Sequence, residues 1–499
     1  MTHAQSRESE AHTTRTTVQN AGWLLVQRGV HIAGGFLFAI LIPRMMGPEI
    51  YGRYALVTSL AALITLVSAL GLRQVVGRYV FPFFVAGDTE STRRLLGNLL
   101  TISLVSGFLG ALFYWVVTVR WLPELDPLVL TVLACYVFVQ ALGNYVFTSF
   151  LGFNQAARWG LKNILSAWLF LVFLPLGFHF WGLVGACAGL LLTECTVLGM
   201  GVWWIRGYYR GVRLRLEFTY VWPYLQFGLV FFLSDVLSLS TRRSGEIMIR
   251  LVSGDYSQVG YYGVAINVYA IVQTLMPQLV LAFVPLLTSL SLRGETDKVA
   301  RWSERVLKGM TIFSVALLFG VLLLGGDLVP LVFGAPYSSV TSDLIPLTAA
   351  LSFAALLSIG LLIATVFERP RLALIGAGIS LATFWTLGVV LTRPLGALGT
   401  CIGMLCAVAA YACYITWQAQ KFVRYSLREW LLACGLSIFF LPLVWLKSSL
   451  SGNAILYLAF LGGYAGILLL SRVVTWTELL SLWQILRPAR ASAPGESIS

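Results

Sequence analysis

Long apolar runs separated by short polar links dominate this chain, a pattern that predicts helices crossing a lipid bilayer. A spanning helix needs about 20 apolar residues, and roughly fourteen such runs occur. None of them shows the strict apolar–polar alternation of a transmembrane barrel strand. We therefore predict an all-α polytopic membrane protein with about 14 transmembrane helices. The runs are centred near Ala33, Leu63, Leu109, Val139, Phe170, Leu192, Phe232, Val272, Leu317, Leu356, Leu381, Ala407, Leu436 and Leu461.

Two parts of the chain repeat each other, which divides the predicted helices into two sets. Gly87-Asp88-Thr89-Glu90 returns 207 residues later as Gly294-Glu295-Thr296-Asp297. At a spacing of 214 residues, Phe153, Gly182, Gly185 and Gly189 return as Phe367, Gly396, Gly399 and Gly403. Weak internal symmetry of this kind is typical of transporter folds. Because each copy holds an even number of spans, both copies should point the same way, and we predict two parallel six-helix bundles followed by a C-terminal helix pair.

Basic residues predict the orientation of these helices, because Lys and Arg beside a span stay on the cytoplasmic side. Most of the 34 Lys and Arg residues fall in links that are inner when the N-terminus is inside. Both the N- and C-termini are therefore predicted to be cytoplasmic. We expect the N-terminal six-helix bundle at residues 1–217, the C-terminal six-helix bundle at 218–425, and helices 13 and 14 with a cytoplasmic tail at 426–499.

The composition limits the classes of protein that fit. Hydrophobic residues make up 58% of the chain and charged residues 11%, with a mean hydropathy of +0.83, whereas soluble domains are about 25% charged. The net charge of +13 is spread over many short links, which suits contact with anionic lipid and argues against nucleic acid as a partner. The seven cysteines lack CxxC spacing and the four histidines are scattered, so we expect no disulfide, metal or cofactor. No Gly-Lys-Ser/Thr phosphate loop occurs, which argues against direct use of ATP.

The seventh predicted span carries polar residues at spacings of three and four, which places them in one stripe on a helical face. The stripe consists of Asp235, Ser238, Arg242, Glu246 and Arg250. A charge at the bilayer centre costs about 2.5 to 3.5 kcal/mol, so the stripe should face protein or a water-filled cavity between the two bundles. Glu246 can pair with Arg242 or Arg250, one turn away on either side. Arg243 lies off the stripe and adds another cation.

Three further ionisable residues are candidates for the same cavity. Arg28 of the first span corresponds to Asp235 at the 207-residue spacing, so the two can face each other between the halves; the alternative is that Arg28 extends to the inner membrane interface. His31 lines the cavity or only fills a helix contact. Glu194, midway along the sixth span, is a candidate coupling carboxylate or a structural polar contact. Since guanidinium groups bind phosphate and carboxylate well, we expect an anionic cargo.

Several Gly, Pro, Arg and aromatic segments resemble a known family. In the first half they are Asn20-Ala21-Gly22-Trp23 and Pro43-Arg44-Met45-Met46-Gly47-Pro48-Glu49-Ile50-Tyr51-Gly52-Arg53-Tyr54. In the second half they are Val259-Gly260-Tyr261-Tyr262, Pro285 before Gly294-Glu295-Thr296-Asp297, and Val332-Phe333-Gly334-Ala335-Pro336-Tyr337. Over nearly its whole length the chain resembles the polysaccharide biosynthesis family of O-antigen and exopolysaccharide repeat-unit flippases, within the multidrug/oligosaccharidyl-lipid/polysaccharide (MOP) exporter superfamily.

This resemblance implies a MATE-like MOP fold and movement of an undecaprenyl-diphosphate-linked oligosaccharide repeat unit across the bacterial cytoplasmic (inner) membrane by alternating access. It also implies that cations of the first and seventh spans lie in the central cavity, here Arg28, Arg242, Arg243 and Arg250. The implied partners are the lipid-linked oligosaccharide substrate, membrane lipids, a polysaccharide polymerase and a chain-length regulator. The energy would come from an ion gradient, the membrane potential or consumption of the product outside.

Three other functions stay open. A lipid II flippase would share the fold and the cationic cavity. An ion-coupled drug antiporter of the same superfamily would more naturally carry acidic cavity residues and often stops at twelve spans. A membrane polysaccharide polymerase or ligase would need a sizeable outer segment with catalytic side chains, whereas the longest outer link, near residues 325–343, contains no Lys, Arg or His.

Overall fold

The computed structural model describes the backbone of residues 3–281 and 284–474, and the side chains of residues 29, 33–229, 232–276 and 287–474. Within these ranges the regular structure is entirely helical. The α-helices are α1 (His3–Ser68), α2 (Leu72–Val75), α3 (Phe81–Val85), α4 (Thr89–Trp121), α5 (Pro127–Gly152), α6 (Ala156–Ile205), α7 (Phe218–Val252), α8 (Tyr256–Leu281), α9 (Val284–Leu292), α10 (Thr296–Phe333), α11 (Val340–Val366), α12 (Pro370–Leu395), α13 (Ala397–Ala419), α14 (Arg428–Ser437) and α15 (Leu450–Leu470). A π-helical turn (Val76–Val80) joins α2 to α3, and 3-10 segments occupy Ala335–Tyr337 and Ile438–Leu446.

Two of the longest helices each contain a sharp break. The backbone leaves the helical region at Gly47 inside α1, and at Trp181 and Gly182 inside α6. Among the described residues, eleven helices are long and apolar enough to span a bilayer, or twelve when the bent α7 counts as one span. Counting α1 and α6 as two spans each adds one span for each break, which agrees with the predicted number. The chain is therefore a multi-pass, all-helical membrane protein, as predicted.

The backbone repeats between the two halves. Gly182 (φ 55°, ψ −136°) and Gly396 (φ 57°, ψ −131°) turn the chain in the same way between consecutive spans, in a region that residues with a Cβ rarely adopt. Further pairs with matching positive φ are Gly47 and Gly254 (73° and 72°), Gly87 and Gly294 (73° each), and Asn154 and Glu368 (56° and 55°). The weak repeat read from the sequence thus corresponds to equivalent turns in the two halves.

The halves contact each other tightly at the end of the molecule that bears the turns at Gly47 and Gly254, called the outer end because the sequence predicts it to be periplasmic. A methyl group at Gly52 of α1 would overlap the Tyr256 carbonyl oxygen of α8, and one at Gly260 of α8 would overlap the Pro48 carbonyl oxygen of α1. The contact is reciprocal, as expected of two related hairpins. The largest hydrophobic core runs through both halves here and includes Tyr51, Val259 and Tyr262.

At the opposite end, the link between the halves is held against α4. The Glu217 backbone N–H donates to Asn98 Oδ1 (2.6 Å), and the Arg94 guanidinium forms an ion pair with the Glu217 carboxylate. The hydrogen bond from Arg94 lowers the pKa of the Glu217 carboxyl. The basic link therefore packs on the first half before α7 begins. The cytoplasmic position of this end and the predicted bundle boundaries stay predictions.

Helices α14 and α15 pack against α10. Phe319 of α10 stacks on Phe460 of α15, with ring centroids 4.0 Å apart. Two polar contacts accompany this apolar seam: Lys308 Nζ lies 3.2 Å from Glu429 Oε2, and Asn453 Nδ2 donates to Asp327 Oδ2 (2.7 Å). The C-terminal helix pair therefore packs on the periphery of the second half, against α10.

Candidate functional site

Three cavities surround the middle of α7. The second-half cavity, about 410 Å³, lies among α7, α8, α11, α12 and α13, and includes Gln273 and Tyr411. The interface cavity, also about 410 Å³, lies between the halves and includes Arg73 and Asp235. The first-half cavity, about 470 Å³, lies mainly among α1, α5 and α6, and includes Glu194. All three have volumes typical of ligand-binding sites.

Residues of α7 connect the three cavities. Ser238 and Arg242 line both the second-half and the interface cavities, and Asp235 lines the interface cavity. Arg243 and Glu246 line the first-half cavity. One turn of this helix thus presents two adjacent guanidinium groups to different cavities. Arg242 forms no ion pair with any carboxylate in the part of the chain that the structure describes.

The partner of Asp235 is a residue that the sequence analysis did not single out. Arg73 Nη2 lies 3.5 Å from Asp235 Oδ2, and Gln74 Nε2 donates to the same oxygen at 3.4 Å. Both partners come from α2, so they join the first half to α7. The predicted partner Arg28, and His31 beside it, lie in α1, but their side chains are outside the described residues.

Glu246 is buried beside the first-half cavity, with 1% of its surface exposed. The suggested pairs with Arg242 and Arg250 are not formed among the described residues; Arg243, which the stripe had left out, shares the cavity with Glu246 instead. The Glu246 Oε2 atom has no hydrogen-bond partner among the described residues. Glu246 does not pair with Arg242 or Arg250 because its side chain turns into the first half, while the two guanidinium groups lie elsewhere.

Arg250 lines none of the three cavities and lies at the outer end. Its guanidinium pairs with Glu124, in the link between α4 and α5, and lies over the Tyr256 ring, 4.5 Å from its centroid. The Tyr256 hydroxyl donates to Glu124 Oε1 at 2.6 Å. Burial alone would raise the pKa of the Glu124 carboxyl, but the Tyr256 hydrogen bond and the Arg250 charge outweigh it, and the pKa is lowered. Arg250 therefore joins the halves where they close.

Glu194 is buried in α6 and paired with a lysine that the sequence analysis missed. Lys162 Nζ lies 3.6 Å from Glu194 Oε2, and the two side chains are only 11% and 3% exposed. Asn144 Oδ1 accepts a hydrogen bond from Lys162, and Ser166 Oγ donates to Glu194 Oε1 at 3.5 Å. Lys162 is the seventh residue of α6, close to the start of a span. When orientation is predicted from Lys and Arg beside the spans, Lys162 is therefore counted as a cytoplasmic residue. The neighbouring Asn163 was the available signal that this turn is polar.

The described residues contain no group of three or more His, Cys, Asp or Glu side chains that could hold a metal ion. What α7 and its neighbours present instead is a set of cations, carboxylates, amides and hydroxyls around water-accessible space. One of these cavities lies between the two repeated bundles, and the other two lie beside it, one mainly within each half. Such an arrangement defines a polytopic membrane protein built from internal repeats around polar cavities, the architecture typical of secondary transporters.

The comparison with family models identifies the group within that class. The model of the polysaccharide biosynthesis protein family matches residues 17–291, more than half of the chain. The chain therefore belongs to this family. No curated protein matches the sequence.

Solved structures with the same fold have low sequence identity to the chain. The lipid II flippase MurJ, in an inward closed conformation, superposes with a TM-score of 0.64 at 14% identity, covering 90% of this chain and 99% of that one. An inward-facing multidrug resistance MATE transporter of the MOP superfamily gives 0.62 at 17% identity, covering 79% and 94%. A MOP transporter from Pyrococcus furiosus, described by a reversed polarity of its binding pocket, gives 0.52 at 15%, covering 80% and 95%. These similarities show the fold alone.

Proposed function

We propose that this protein is a flippase that moves an undecaprenyl-diphosphate-linked oligosaccharide from the cytoplasmic to the periplasmic leaflet of the inner membrane, for synthesis of a surface polysaccharide. Membership of the polysaccharide biosynthesis family and the fold shared with a lipid II flippase support this function. The observation that carries the proposal is Arg242, a cation without a carboxylate partner among the described residues, between two cavities at the centre of the molecule.

The chemistry of Arg242 suits a diphosphate. A guanidinium donates two parallel hydrogen bonds to phosphate oxygens and stays charged when water is removed. Arg73 and Lys162 supply further positive charge around the same space, but each is paired with a carboxylate that an incoming anion must replace. Arg243 adds a cation to the first-half cavity, which also contains Glu246. Arg242 is therefore the first anchor for the diphosphate, and Arg28 of the first span stays part of the proposal.

A flippase must shield the diphosphate and sugars from hydrocarbon while the lipid tail stays in the bilayer. Polar cavities between two bundles provide that shield, and no chemical bond needs to be broken. We therefore propose a transporter rather than an enzyme, driven by an ion gradient, the membrane potential or consumption of the product. A polysaccharide polymerase and a chain-length regulator would act on the product outside.

The test is transport in liposomes that contain a fluorescent polyprenyl-diphosphate oligosaccharide. We expect Arg242→Ala to reduce transport at least about tenfold, because one charge-assisted bidentate contact contributes about 1.5–3 kcal/mol. The matched control is Arg301→Ala, which removes an exposed arginine of α10 away from the three cavities. Arg28→Ala tests the first span in the same assay. Equal transport by the intact protein and Arg242→Ala would contradict the assignment of this residue.

A second candidate function is lipid II transport, since the superposition on the lipid II flippase covers 99% of that chain. The two lipids share a polyprenyl diphosphate and differ in the group attached to it. Liposomes that contain both, each with its own fluorophore, separate the candidates directly. Preference for lipid II would replace the proposed cargo, and transport of cationic drugs alone would place the protein with the drug antiporters.

A further inference from the structure

The second-half cavity differs chemically from the other two. Arg242, at its boundary, is its only charged lining residue in the described part of the chain. The interface and first-half cavities, by contrast, contain Asp235, Glu194 and Glu246 as well as basic residues. A ligand group that belongs in the second-half cavity is therefore neutral.

The hydroxyl groups of this cavity are arranged as hydrogen-bond acceptors. Four of them donate their proton to the carbonyl one turn back in their own helix and keep only lone pairs for a ligand. They belong to Thr241, Thr274, Ser358 and Thr365. The Tyr411 hydroxyl likewise donates to the Ala373 carbonyl oxygen at 2.9 Å. An acceptor-rich wall repels phosphate oxygens and suits a ligand that brings many hydroxyl donors.

Two further groups of the cavity can donate a hydrogen bond to a ligand. Gln273 lines the cavity with an amide that both donates and accepts. The Tyr269 hydroxyl is buried and has no hydrogen-bond partner among the described residues. An unpaired buried hydroxyl costs about 1–3 kcal/mol, and a small turn of the Tyr269 side chain that let a ligand oxygen reach the hydroxyl would remove that penalty.

We propose that the second-half cavity is the sugar-binding site, which holds the first sugars of the cargo while Arg242 binds the diphosphate at the boundary with the interface cavity. This inference rests on the proposed function. Sugar hydroxyls donate to the threonine and serine oxygens, ring and glycosidic oxygens accept from Tyr269 and Gln273, and the apolar sugar faces pack on the tyrosine rings. The cavity volume of about 410 Å³ lies in the range of small-molecule sites.

The alternatives fit less well. A lipid tail would leave the Gln273 amide without a partner in an apolar environment, whereas the threonine and serine hydroxyls already donate within their own helices. A metal ion would meet hydroxyl oxygens but no carboxylate in the described lining. A second phosphate would face acceptors, with only Arg242 to balance its charge. A neutral polyhydroxylated ligand is the class that uses all of these groups.

The experiment measures binding to the full-length purified protein of two probes: polyprenyl diphosphate without sugar, and the same lipid carrying a disaccharide that starts with N-acetylglucosamine. We expect the disaccharide lipid to bind the unmodified protein more tightly. Gln273→Leu should weaken binding of the disaccharide lipid about five- to tenfold and leave the sugar-free lipid unchanged, since it removes one or two neutral hydrogen bonds. Thr365→Val, which keeps the shape and removes the acceptor, should act in the same direction.

Matched controls come from the same chain. Gln226→Leu removes an exposed amide of α7, and Thr386→Val removes a hydroxyl of α12 that also bonds one turn back but lines none of the cavities. Equal binding of both lipids to the unmodified protein, or equal weakening of both by Gln273→Leu, would overturn the sugar site and leave the diphosphate assignment standing. Failure of both lipids to bind would instead reject the proposed function, and the sugar site with it.

Discussion

Several charged side chains inside the spans are held in pairs that join two helices or the two segments of a broken helix. Asp235 of α7 faces Arg73 of α2, and Glu194 of α6 faces Lys162, in the first segment of the same bent helix. Because an unpaired charge in the bilayer is costly, each pair restrains the two segments that it connects. Arg242 differs from these residues in having no such partner in the described chain, which leaves it available to an anionic ligand.

The pair formed by Lys162 and Glu194 gives a prediction about stability. Lys162→Met leaves a buried carboxylate without its counter-charge and should destabilise the protein by about 3–5 kcal/mol. The double variant Lys162→Met/Glu194→Gln should recover most of that loss, since no charge stays buried alone. Thermal unfolding in detergent measures both. The matched control is Arg73→Met, whose pair with Asp235 is about half exposed and should contribute no more than about 1 kcal/mol.

The same variants separate a structural role of Glu194 from a coupling role. If Glu194 carries a proton during transport, Glu194→Gln should abolish the pH dependence of transport. If the pair is purely structural, Glu194→Gln should lower stability and leave the pH profile of the remaining transport unchanged. A double variant no more stable than Lys162→Met would contradict the ion-pair argument itself.

Individual residues could be predicted from sequence only where the helical spacing carried the information. The spacing on α7 predicted that Asp235, Ser238 and Arg242 share a face, and all three line the interface cavity. It could not indicate that Glu246 turns into the first half, because that depends on how the bundles pack. Lys162 was missed for a related reason: a lysine near a helix end counts as an interface residue until its tertiary contacts are known.

Among the elements, the two outer hairpins determine how the halves meet. The turn at Gly47 and the turn at Gly254 are equivalent in the repeat, and each brings a glycine of the following helix against the backbone of the other half. Arg250, Glu124 and Tyr256 form a polar cluster beside this contact. Closure of the outer end thus depends on a steric fit and on a charge pair, which can be tested separately.

The steric fit is tested by Gly52→Ala. The added methyl group would overlap the Tyr256 carbonyl oxygen, and overpacking of this kind costs about 1–3 kcal/mol. The closed arrangement should therefore become less populated, and a cysteine introduced by Val259→Cys, at a fully buried position of the contact, should react about 5- to 150-fold faster with a membrane-impermeant maleimide. Gly199→Ala in α6, where a methyl group meets nothing within 4 Å, is the control. An equal response to both substitutions would contradict the argument.

The charge pair is tested by pH. The pKa of the Glu124 carboxyl lies below its ordinary value of 4.5 in the closed arrangement, so its contribution to closure is fully present at neutral pH and is lost as the pH falls through the lowered value. Only the thiolate reacts, so the labelling rate of Val259→Cys is divided by that of the same variant unfolded in denaturant at the same pH. This ratio should stay constant from neutral pH down to about 4.5 and rise only in stronger acid. Glu124→Gln should raise labelling at neutral pH and remove the acid response. A rise centred well above 4.5 would point to another group.

Element types were well predicted because a bilayer imposes one length and one composition on every span. The breaks at Gly47 and Gly182 were also visible, as links between apolar runs, and at both positions the backbone leaves the helical region. The interruption of the second span at residues 69–71, which lets α2 reach Asp235, had no clear signal in the sequence. That interruption allows the contact between Arg73 and Asp235 in the interface cavity. The candidate site was therefore less predictable than the helices.

At the scale of the whole molecule, the two repeated bundles and the C-terminal helix pair differ in how they are attached. The MATE transporter covers 79% of this chain, whereas the lipid II flippase covers 90%. The C-terminal pair packs on α10 through Phe319 and Phe460, and none of its described residues lines the three cavities. We propose that the unit boundaries lie where the sequence placed them, at residues 217 and 425, and that the pair stabilises α10 rather than completing the cavities.

This view of the C-terminal pair leads to a prediction about its removal. Deleting residues 426–499 exposes apolar side chains of α10 such as Phe319, which lipid tolerates, but it also deprives Lys308 of Glu429 and Asp327 of Asn453. An unpaired charge at the bilayer centre costs about 2.5–3.5 kcal/mol, which is the upper limit for these two positions nearer the ends of the span. The truncated protein should therefore aggregate in size-exclusion chromatography, and adding Lys308→Leu and Asp327→Leu should restore a monodisperse peak. A truncated chain that is stable without these substitutions would contradict the argument, and one that stays aggregated with them would show that the pair does more than cover two polar groups on α10.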